Sequence, residues 1–145
     1  DSRLSAVLHP LLHMAEVGEP MTSETLAVCM KTNPVVVRRT MGRLRDAGLV
    51  TADRGRGGGW RIAMDLVAPT LRQLHEALGE PALFAVGNRT EQPECLMEQT
   101  VNAALDGAFA DAEAVLLQRF ESVTLAELAT DFARRHATRR SGVPK

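Results

Sequence analysis

Arginine side chains are the clearest candidates for chemistry in this sequence. Residues 31–61 contain eight arginines or lysines but only two aspartates, a net charge of +6, whereas the whole chain of 145 residues has a formal charge of −1. Residues 66–145 hold eight basic and eleven acidic residues. Guanidinium and ammonium groups neutralise phosphates, which is the main sequence-independent source of affinity for DNA. This asymmetry therefore predicts a DNA-binding segment between residues 31 and 61.

A helix is predicted to position several of these arginines. The Asn33 side chain can cap a helix that starts at Pro34, a residue that suits the first helical turn. A buried stripe at three- to four-residue spacing consists of Val37, Met41 and Leu44. The arginines fall largely off that stripe, and Gly48 offers the left-handed conformation that ends a helix. We therefore predict a recognition helix that presents arginines to a DNA groove.

A glycine-rich hairpin is predicted after this helix. Residues 49–51 have the apolar and β-branched character of a strand, and residues 60–62 can return as its partner. Between them, the glycines of residues 55–59 can adopt positive φ and approach a phosphate closely. A helix-turn-helix followed by such a hairpin is a winged helix. The predicted fold class is mainly α, a winged helix-turn-helix with a two-stranded wing and a long C-terminal dimerisation helix.

Double-stranded DNA is the predicted partner of this surface. Arginines of the helix would read base edges in the major groove, and arginines of the wing would contact phosphates or the minor groove. Aromatic residues make up only 3% of the chain, too few for a surface that stacks single-stranded bases. The predicted DNA-binding residues are Asn33, Val35, Arg38, Arg39, Arg43, Arg54, Arg56, Gly57, Gly58 and Arg61.

Helical patterns also occupy most of the chain outside the DNA-binding segment. Pro10 is expected to kink the first helix rather than divide it, because it removes one backbone hydrogen bond. A last helix should begin after Thr124, with Glu127 completing a capping box. The basic tail from Arg134 has too little apolar content to fold and is expected to be disordered. The other expected helices cover residues 2–17, 24–30, 70–78 and 95–123.

The helix over residues 95–123 is predicted to join two copies of the chain. Its apolar stripe consists of Val101, Ala104, Leu105, Ala108, Ala112, Val115, Leu116 and Phe120. A symmetric pair would place two recognition helices on adjacent turns of the major groove, which implies a homodimer on a dyad-symmetric operator. A helix packed only within its own subunit would show the same pattern and is the alternative. The predicted organisation is a DNA-binding domain over residues 1–80, a sensor loop and dimerisation helices over 81–133, and a disordered tail over 134–145.

A family resemblance accompanies these patterns over residues 4–130. The motifs that carry it are Leu44-Arg45-x-x-Gly48-Leu49-Val50 and then Arg54-Gly55-x-Gly57-Gly58-Gly59-Trp60. The chain resembles the Rrf2 family of bacterial winged-helix repressors, of the IscR, NsrR and CymR type, and residues 33–39 resemble its YwnA-like branch. Arg56 stands where proline is common in the family. The resemblance implies a DNA-binding transcriptional regulator, a homodimeric repressor.

The resemblance also implies a sensor in front of the long helix. Many relatives hold an iron–sulfur cluster through three cysteines in that loop, whereas only Cys95 is present here, so three-cysteine ligation is excluded. One hypothesis is a metal ion or cluster with mixed ligation by Cys95, His9 and His13, the two histidines standing one helical turn apart. The site would join two subunits, with Cys95 of one facing the first helix of the other.

Two further hypotheses for Cys95 need no cofactor. A helix N-terminus lowers the pKa of a thiol, so Cys95 would be a redox-sensing thiolate. Alternatively, Cys95 is a buried structural residue, since lone cysteines are more often packed than ligating. The predicted repressor accordingly responds to redox, nitric oxide or metal status through Cys95, with or without a bound cofactor.

Other classes of protein fit the sequence less well. The alternative function is a winged-helix protein-interaction module that regulates a metabolic enzyme, but such a module has no need to concentrate arginines in one segment. No nucleophile motif or catalytic carboxylate pair is present, so an enzyme is not expected. No run of eighteen apolar residues and no signal peptide is present, and the two cysteines fit a reducing compartment. We expect a cytoplasmic protein that does not bind membranes.

Overall fold

The computed structural model describes residues 2–63, 69–79, 83–84 and 95–142. Its helices are α1 (Ser2–Val17), α2 (Ser23–Met30), α3 (Pro34–Asp46), α4 (Leu71–Ala77), α5 (Leu96–Glu121) and α6 (Leu125–Ser141), and its strands are β1 (Val50–Asp53) and β2 (Gly59–Ile62). The two strands pair antiparallel, with Val50 opposite Ile62 and Asp53 opposite Gly59. This architecture confirms the predicted winged helix-turn-helix with a two-stranded wing.

Side-chain caps set the starts of the helices. Asn33 Oδ1 accepts hydrogen bonds from the backbone N–H groups of Val35 and Val36 at 3.0 and 3.1 Å, so α3 begins where the sequence predicts. Thr22 caps α2. Thr124 caps α6 and forms the predicted capping box with Glu127. These bonds satisfy amide groups that have no partner inside their helices.

The core lies where α1, α2 and α3 meet. The predicted stripe of α3 is fully buried: Val37, Met41 and Leu44 are each 0% exposed. Helix α1 contributes Leu4, Val7, Leu11 and Met14 to this core, and it is one continuous helix that includes Pro10. Leu8 and Leu12 pack against the edge of the core and are partly exposed. The orientation of α3 is thus fixed by its buried side.

The wing is joined to the helical unit along β2. Trp60 and Met21 exchange two backbone hydrogen bonds of 2.8 and 2.9 Å, which adds a short bridge beside β2. Gly59 has a φ of +149°, and a Cβ on it would lie 2.6 Å from the carbonyl oxygen of Met21, so only glycine fits this close approach. The base of the wing is therefore tied to the segment between α1 and α2.

Helix α5 has its predicted position but packs little against the rest of the described chain. None of its residues is buried, and Val101, Leu105 and Val115 are 56%, 44% and 68% exposed. Contact with the winged unit is concentrated at its C-terminal end, where the ring of Phe120 meets the edge of His75 in α4 at a centroid distance of 6.2 Å. Apart from its C-terminal end at Phe120, the apolar stripe of α5 is therefore largely uncovered within the described single chain.

One prediction about the C-terminus is wrong. Residues from Arg134 were expected to be disordered, but α6 continues to Ser141. Asp131 forms ion pairs with Arg134 and Arg135, which lie three and four residues further along the same helix. Basic residues near a helix C-terminus also complement the partial negative charge there. Charge pairing thus supports a helical segment that apolar content alone did not predict.

Most of the predicted sensor loop before α5, residues 80–82 and 85–94, lies outside the described residues. None of the described helices is long and apolar enough to cross a membrane.

Candidate nucleic-acid interface and sensor residues

The outward side of α3 is the candidate surface for a DNA groove. Val35, Arg38 and Arg39 are exposed, and Val35 retains 62% of its accessible surface. They stand three and four residues apart, so they share the side of the helix opposite the buried stripe. Gly42 follows on the same side, and a Cβ there would meet no heavy atom within 4 Å. This surface combines two guanidinium groups with one exposed valine.

Arg38 lies at the edge of this outward side, where α3 faces α2 and the wing. Its Nη1 is 3.5 Å from Oε1 of Glu24 at the start of α2, and more than half of each side chain is exposed. An exposed ion pair at that distance contributes little to stability and is easily exchanged for another anion. Arg38 can therefore turn toward DNA at low cost.

Arg43 lies on the opposite flank of α3. Its Nη1 donates a 3.0 Å hydrogen bond to the carbonyl oxygen of Leu78, at the end of α4. Arg45, in the last turn of the helix, pairs instead with its neighbour Asp46 at 3.1 Å. The predicted groove-binding arginines of α3 are thus divided between two flanks and the outward side.

The tip of the wing is built by glycines in positions that strongly favour glycine. Gly55 and Gly57 have φ values of +87° and +73°, and the Gly58 N–H donates a 3.0 Å hydrogen bond to the Gly55 carbonyl. A Cβ on Gly58 would lie 2.4 Å from a backbone oxygen. Arg54 and Arg56 are exposed at this tip, where they form no hydrogen bond or ion pair with any described residue. The tip therefore presents two guanidinium groups on a fixed backbone.

Two predicted DNA-binding residues have structural contacts of their own. Arg61 Nη1 donates a 3.0 Å hydrogen bond to the carbonyl of Gly18, and its Nε lies 3.4 Å from Oδ2 of Asp53. This side chain holds the base of the wing to the end of α1. The side-chain oxygen of Asn33 is likewise occupied by backbone amides. The sequence pattern did not indicate the Arg61 contact, because it joins residues 43 positions apart.

Cys95 occupies the N-cap position of α5, and its thiol is exposed. Interaction with the backbone N–H groups of Glu98 and Met97 lowers the pKa of the thiol below its ordinary value. Such an environment favours the reactive thiolate form. The exposure disagrees with the hypothesis that Cys95 is a buried structural residue. Cys29, in α2, is partly buried.

His9 and His13 are paired on the exposed side of α1. Their Nε2 atoms are 3.0 Å apart and their ring centroids 4.8 Å apart. Among the described residues, however, no group of three or more His, Cys, Asp or Glu side chains is placed to hold a metal ion. Cys95 therefore does not complete a three-ligand site with these histidines within one chain. It lies roughly 37 Å along α5 from Phe120, where that helix contacts α4.

His75 is a feature that sequence analysis did not single out. It is 2% exposed, and its Nδ1 atom has no hydrogen-bond partner among the described residues. The position of a single histidine in a helical pattern does not indicate whether its side chain is buried. The burial of His75 becomes evident only from the packing of α4 against Phe120.

A buried helix stripe, an arginine-bearing outward side and a glycine-built wing together define a winged helix-turn-helix regulator of transcription. Comparison with known proteins agrees: the family model described as Rrf2, iron-dependent transcriptional regulator, matches residues 1–131. The chain belongs to the Rrf2 family. Regulators of this family bind DNA and are not enzymes, so this protein is a transcriptional regulator.

Individual relatives are similar over most of their length. The chain is 29% identical over 129 residues to the HTH-type transcriptional regulator YwnA of Bacillus subtilis, covering 88% of this chain and 95% of YwnA. A solved structure of a transcriptional regulator from Lactobacillus plantarum has a TM-score of 0.69 at 21% identity, covering 90% of this chain and 89% of that one. The structure of CymR, the global cysteine regulator of B. subtilis, has a TM-score of 0.59 at 21% identity, and the match covers 88% of this chain and 91% of CymR. The two structures support the fold.

Proposed function

We propose that this regulator is a homodimeric repressor that inserts α3 into the major groove of a dyad-symmetric operator. The observation that carries the proposal is the outward side of α3, where Val35, Arg38 and Arg39 are exposed opposite a stripe with 0% exposure. The buried stripe fixes the rotation of the helix, so these three side chains are presented without any rearrangement of the fold. Arginine pairs with guanine, and an apolar side chain contacts the methyl group of thymine.

The remaining predicted residues take supporting roles in this proposal. Arg54 and Arg56, with the close backbone approach that Gly57 and Gly58 permit, would contact phosphates or the minor groove beside α3. Arg43 would act on the flank of the helix. Arg61 and Asn33 would act indirectly, because they fix the wing and the start of α3.

The homodimer is proposed from the exposed apolar side of α5. Val101, Leu105 and Val115 lie on a helix of 26 residues that buries no side chain in the described single chain. Covering such a stripe with a second copy would remove apolar surface from water, and two-fold symmetry of the protein would match dyad symmetry of the operator. A repressor bound to its genome would act in the cytoplasm.

Cys95 is proposed as the site where redox or nitric oxide status enters. The lowered pKa and the exposure of its thiol favour reaction with oxidants. In a dimer, a metal ion or iron–sulfur cluster held by Cys95 together with His9 and His13 of another subunit is the second version of this proposal. The two Nε2 atoms form a 3.0 Å hydrogen bond, so both rings already point to one place, and a tetrahedral metal ion with bonds of about 2.1 Å would need them only slightly further apart, at about 3.4 Å.

DNA binding by the purified protein tests the proposed function. Duplexes selected from a random library should converge on a sequence with two related half-sites about ten base pairs apart. Binding should weaken steeply with salt, because phosphates are neutralised by arginines. A selection that yields no sequence, together with affinity for duplex DNA that salt does not change, would contradict the proposal.

A further inference from the structure

A basic basin lies on the flank of α3 away from the wing. It is a concave surface of about 330 Å³ between the start of α1, the turn before α3 and α3 itself. Its polar lining consists of Arg3, Thr32, Arg39, Thr40 and Arg43, and none of the described residues that line it is acidic. Three arginines and two threonines thus line one open volume.

Arg43 is held in place at this basin. Its Nη1 bond to the Leu78 carbonyl uses one of five N–H donors and restrains the side chain while other donors stay available. Gly79, which follows Leu78, has a φ of +86°, and a Cβ on it would lie 3.7 Å from that Nη1 atom. The end of α4 is therefore packed close to the Arg43 guanidinium and preorganises it.

The chemistry of the basin matches a phosphate group. Planar guanidinium groups form paired, charge-assisted hydrogen bonds with phosphate oxygens, and threonine hydroxyls can donate to the same oxygens. The floor includes the side chains of Val7, Met30 and Leu78, which keep part of the surface dry and strengthen these interactions.

We infer that this basin binds one backbone phosphate of DNA at the edge of the groove that α3 occupies. The inference rests on the proposed function. Arg39 connects the two surfaces, because it belongs to the outward side of α3 and also lines the basin. The basin is open and continuous with the groove-facing side, which favours a phosphate of the bound duplex over a free phosphorylated molecule. Its role is to fix the register of α3 against the bases.

Neutralising single phosphates in the selected operator tests the inference. Replacing each phosphate in turn by a methylphosphonate should reveal one position per half-site where the wild-type protein loses about tenfold in affinity. For the Arg43→Gln and Thr40→Val proteins, a methylphosphonate at that position should lower affinity only slightly, because each variant has already weakened the contact with that phosphate. Arg43→Gln should also make the salt slope of binding shallower by about 0.9 if one phosphate is no longer neutralised. Arg140→Gln, with the same charge change at an exposed position near the end of α6, is the control and should behave as wild type.

Each contrary result has a separate meaning. The wild-type protein could bind its operator while every methylphosphonate lowers affinity by the same factor in the wild type, in Arg43→Gln and in Thr40→Val. The basin would then not hold a DNA phosphate. Calorimetry could show that the wild-type protein binds millimolar inorganic phosphate and that Arg43→Gln abolishes this binding, while the methylphosphonate effects stay the same in both proteins. That result would assign a free phosphate ligand to the basin and overturn the inference. A wild-type protein that binds no duplex would contradict the proposed function itself. Unchanged melting curves of both variants exclude loss of fold as the cause.

Discussion

The indole nitrogen of Trp60 in β2 donates a 3.0 Å hydrogen bond to Oγ of Ser23 in the first turn of α2. Trp60 is 8% exposed, so this bond joins the wing to the helix pair from inside the fold. The wing and α3 are therefore oriented by the same core. Groove and wing contacts of the proposed complex depend on that common orientation.

Removing the Ser23 hydroxyl should loosen this connection. Ser23→Ala leaves the indole N–H without its partner in a largely buried position, which should lower the free energy of unfolding by about 1 kcal/mol. Chemical denaturation measures the change. Ser5→Ala, at an exposed position of α1, is the matched control. Equal stability of the Ser23→Ala and Ser5→Ala proteins would show that the hydrogen bond does not stabilise the wing.

Two glycines in the DNA-binding segment should respond oppositely to alanine. Gly58→Ala forces a Cβ to within 2.4 Å of the Asp53 carbonyl oxygen, so the wing turn must change shape and the protein should become less stable. Gly42→Ala meets no neighbour within 4 Å and should stabilise α3 by about 1 kcal/mol. Thermal unfolding compares the two variants. Stabilisation by Gly58→Ala would contradict the geometry of the turn.

The extent to which the sequence predicted the structure depended on how local each signal was. Caps at Asn33 and Thr124 and the spacing of Val37, Met41 and Leu44 are local, and the structure confirms them. Motif residues were also enough to identify the family. The contacts of Arg43 with Leu78 and of Arg61 with Gly18 span 35 and 43 positions, so no local pattern indicates them.

Other features were beyond sequence analysis for a different physical reason. The residues after Arg134 are helical although they contain few apolar side chains. Ion pairs of Asp131 with Arg134 and Arg135 support the helix there, and apolar content alone does not indicate them. The basic basin depends on the packing of α1 and α4 against α3, and it gathers residues from separate segments of the chain. An apolar stripe such as that of α5 looks the same whether its partner is another helix of the chain or a second copy.

A charge placed on the stripe of α5 should separate the proposed dimer. Leu105 is 44% exposed in the single chain, and Leu105→Glu would bury an unpaired carboxylate at the interface of two copies. Light scattering at micromolar concentration should change from a dimer to a monomer. Ala110→Glu, on the opposite side of the helix, should remain dimeric. A wild-type protein that is a stable monomer at this concentration would contradict the proposal.

The Cys95 thiol should titrate at a lower pH in the folded protein than in the unfolded chain. Because its folded pKa is lowered, the thiolate persists as pH falls through a range where an unfolded thiol is already protonated. Alkylation of Cys95 against pH, in a Cys29→Ala background, should therefore show a midpoint below that measured in urea. Coincident midpoints would mean that the Met97 and Glu98 amides do not stabilise the thiolate.

The same thiol should control DNA binding. Cys95→Ser should retain basal affinity for the operator but lose the response to oxidant or nitric oxide. His13→Ala distinguishes the two versions: it should abolish a response that depends on a metal ion or cluster, and should spare a response that depends on the thiol alone. A Cys95→Ser protein that still responds would place the sensor elsewhere.

Operator binding by the Arg39→Ala protein, compared with the Arg140→Ala protein, tests whether the outward side of α3 binds DNA. Arg39 is exposed on that side of α3, whereas Arg140 is exposed near the end of α6, so the two variants share a charge change and differ in position. Fluorescence anisotropy with the selected operator and with a scrambled duplex measures both affinity and specificity. We expect Arg39→Ala to cost about 1 to 3 kcal/mol of binding free energy on the operator, and Arg140→Ala to bind nearly as wild type. Equal affinities of both variants and the wild-type protein for the operator would contradict it.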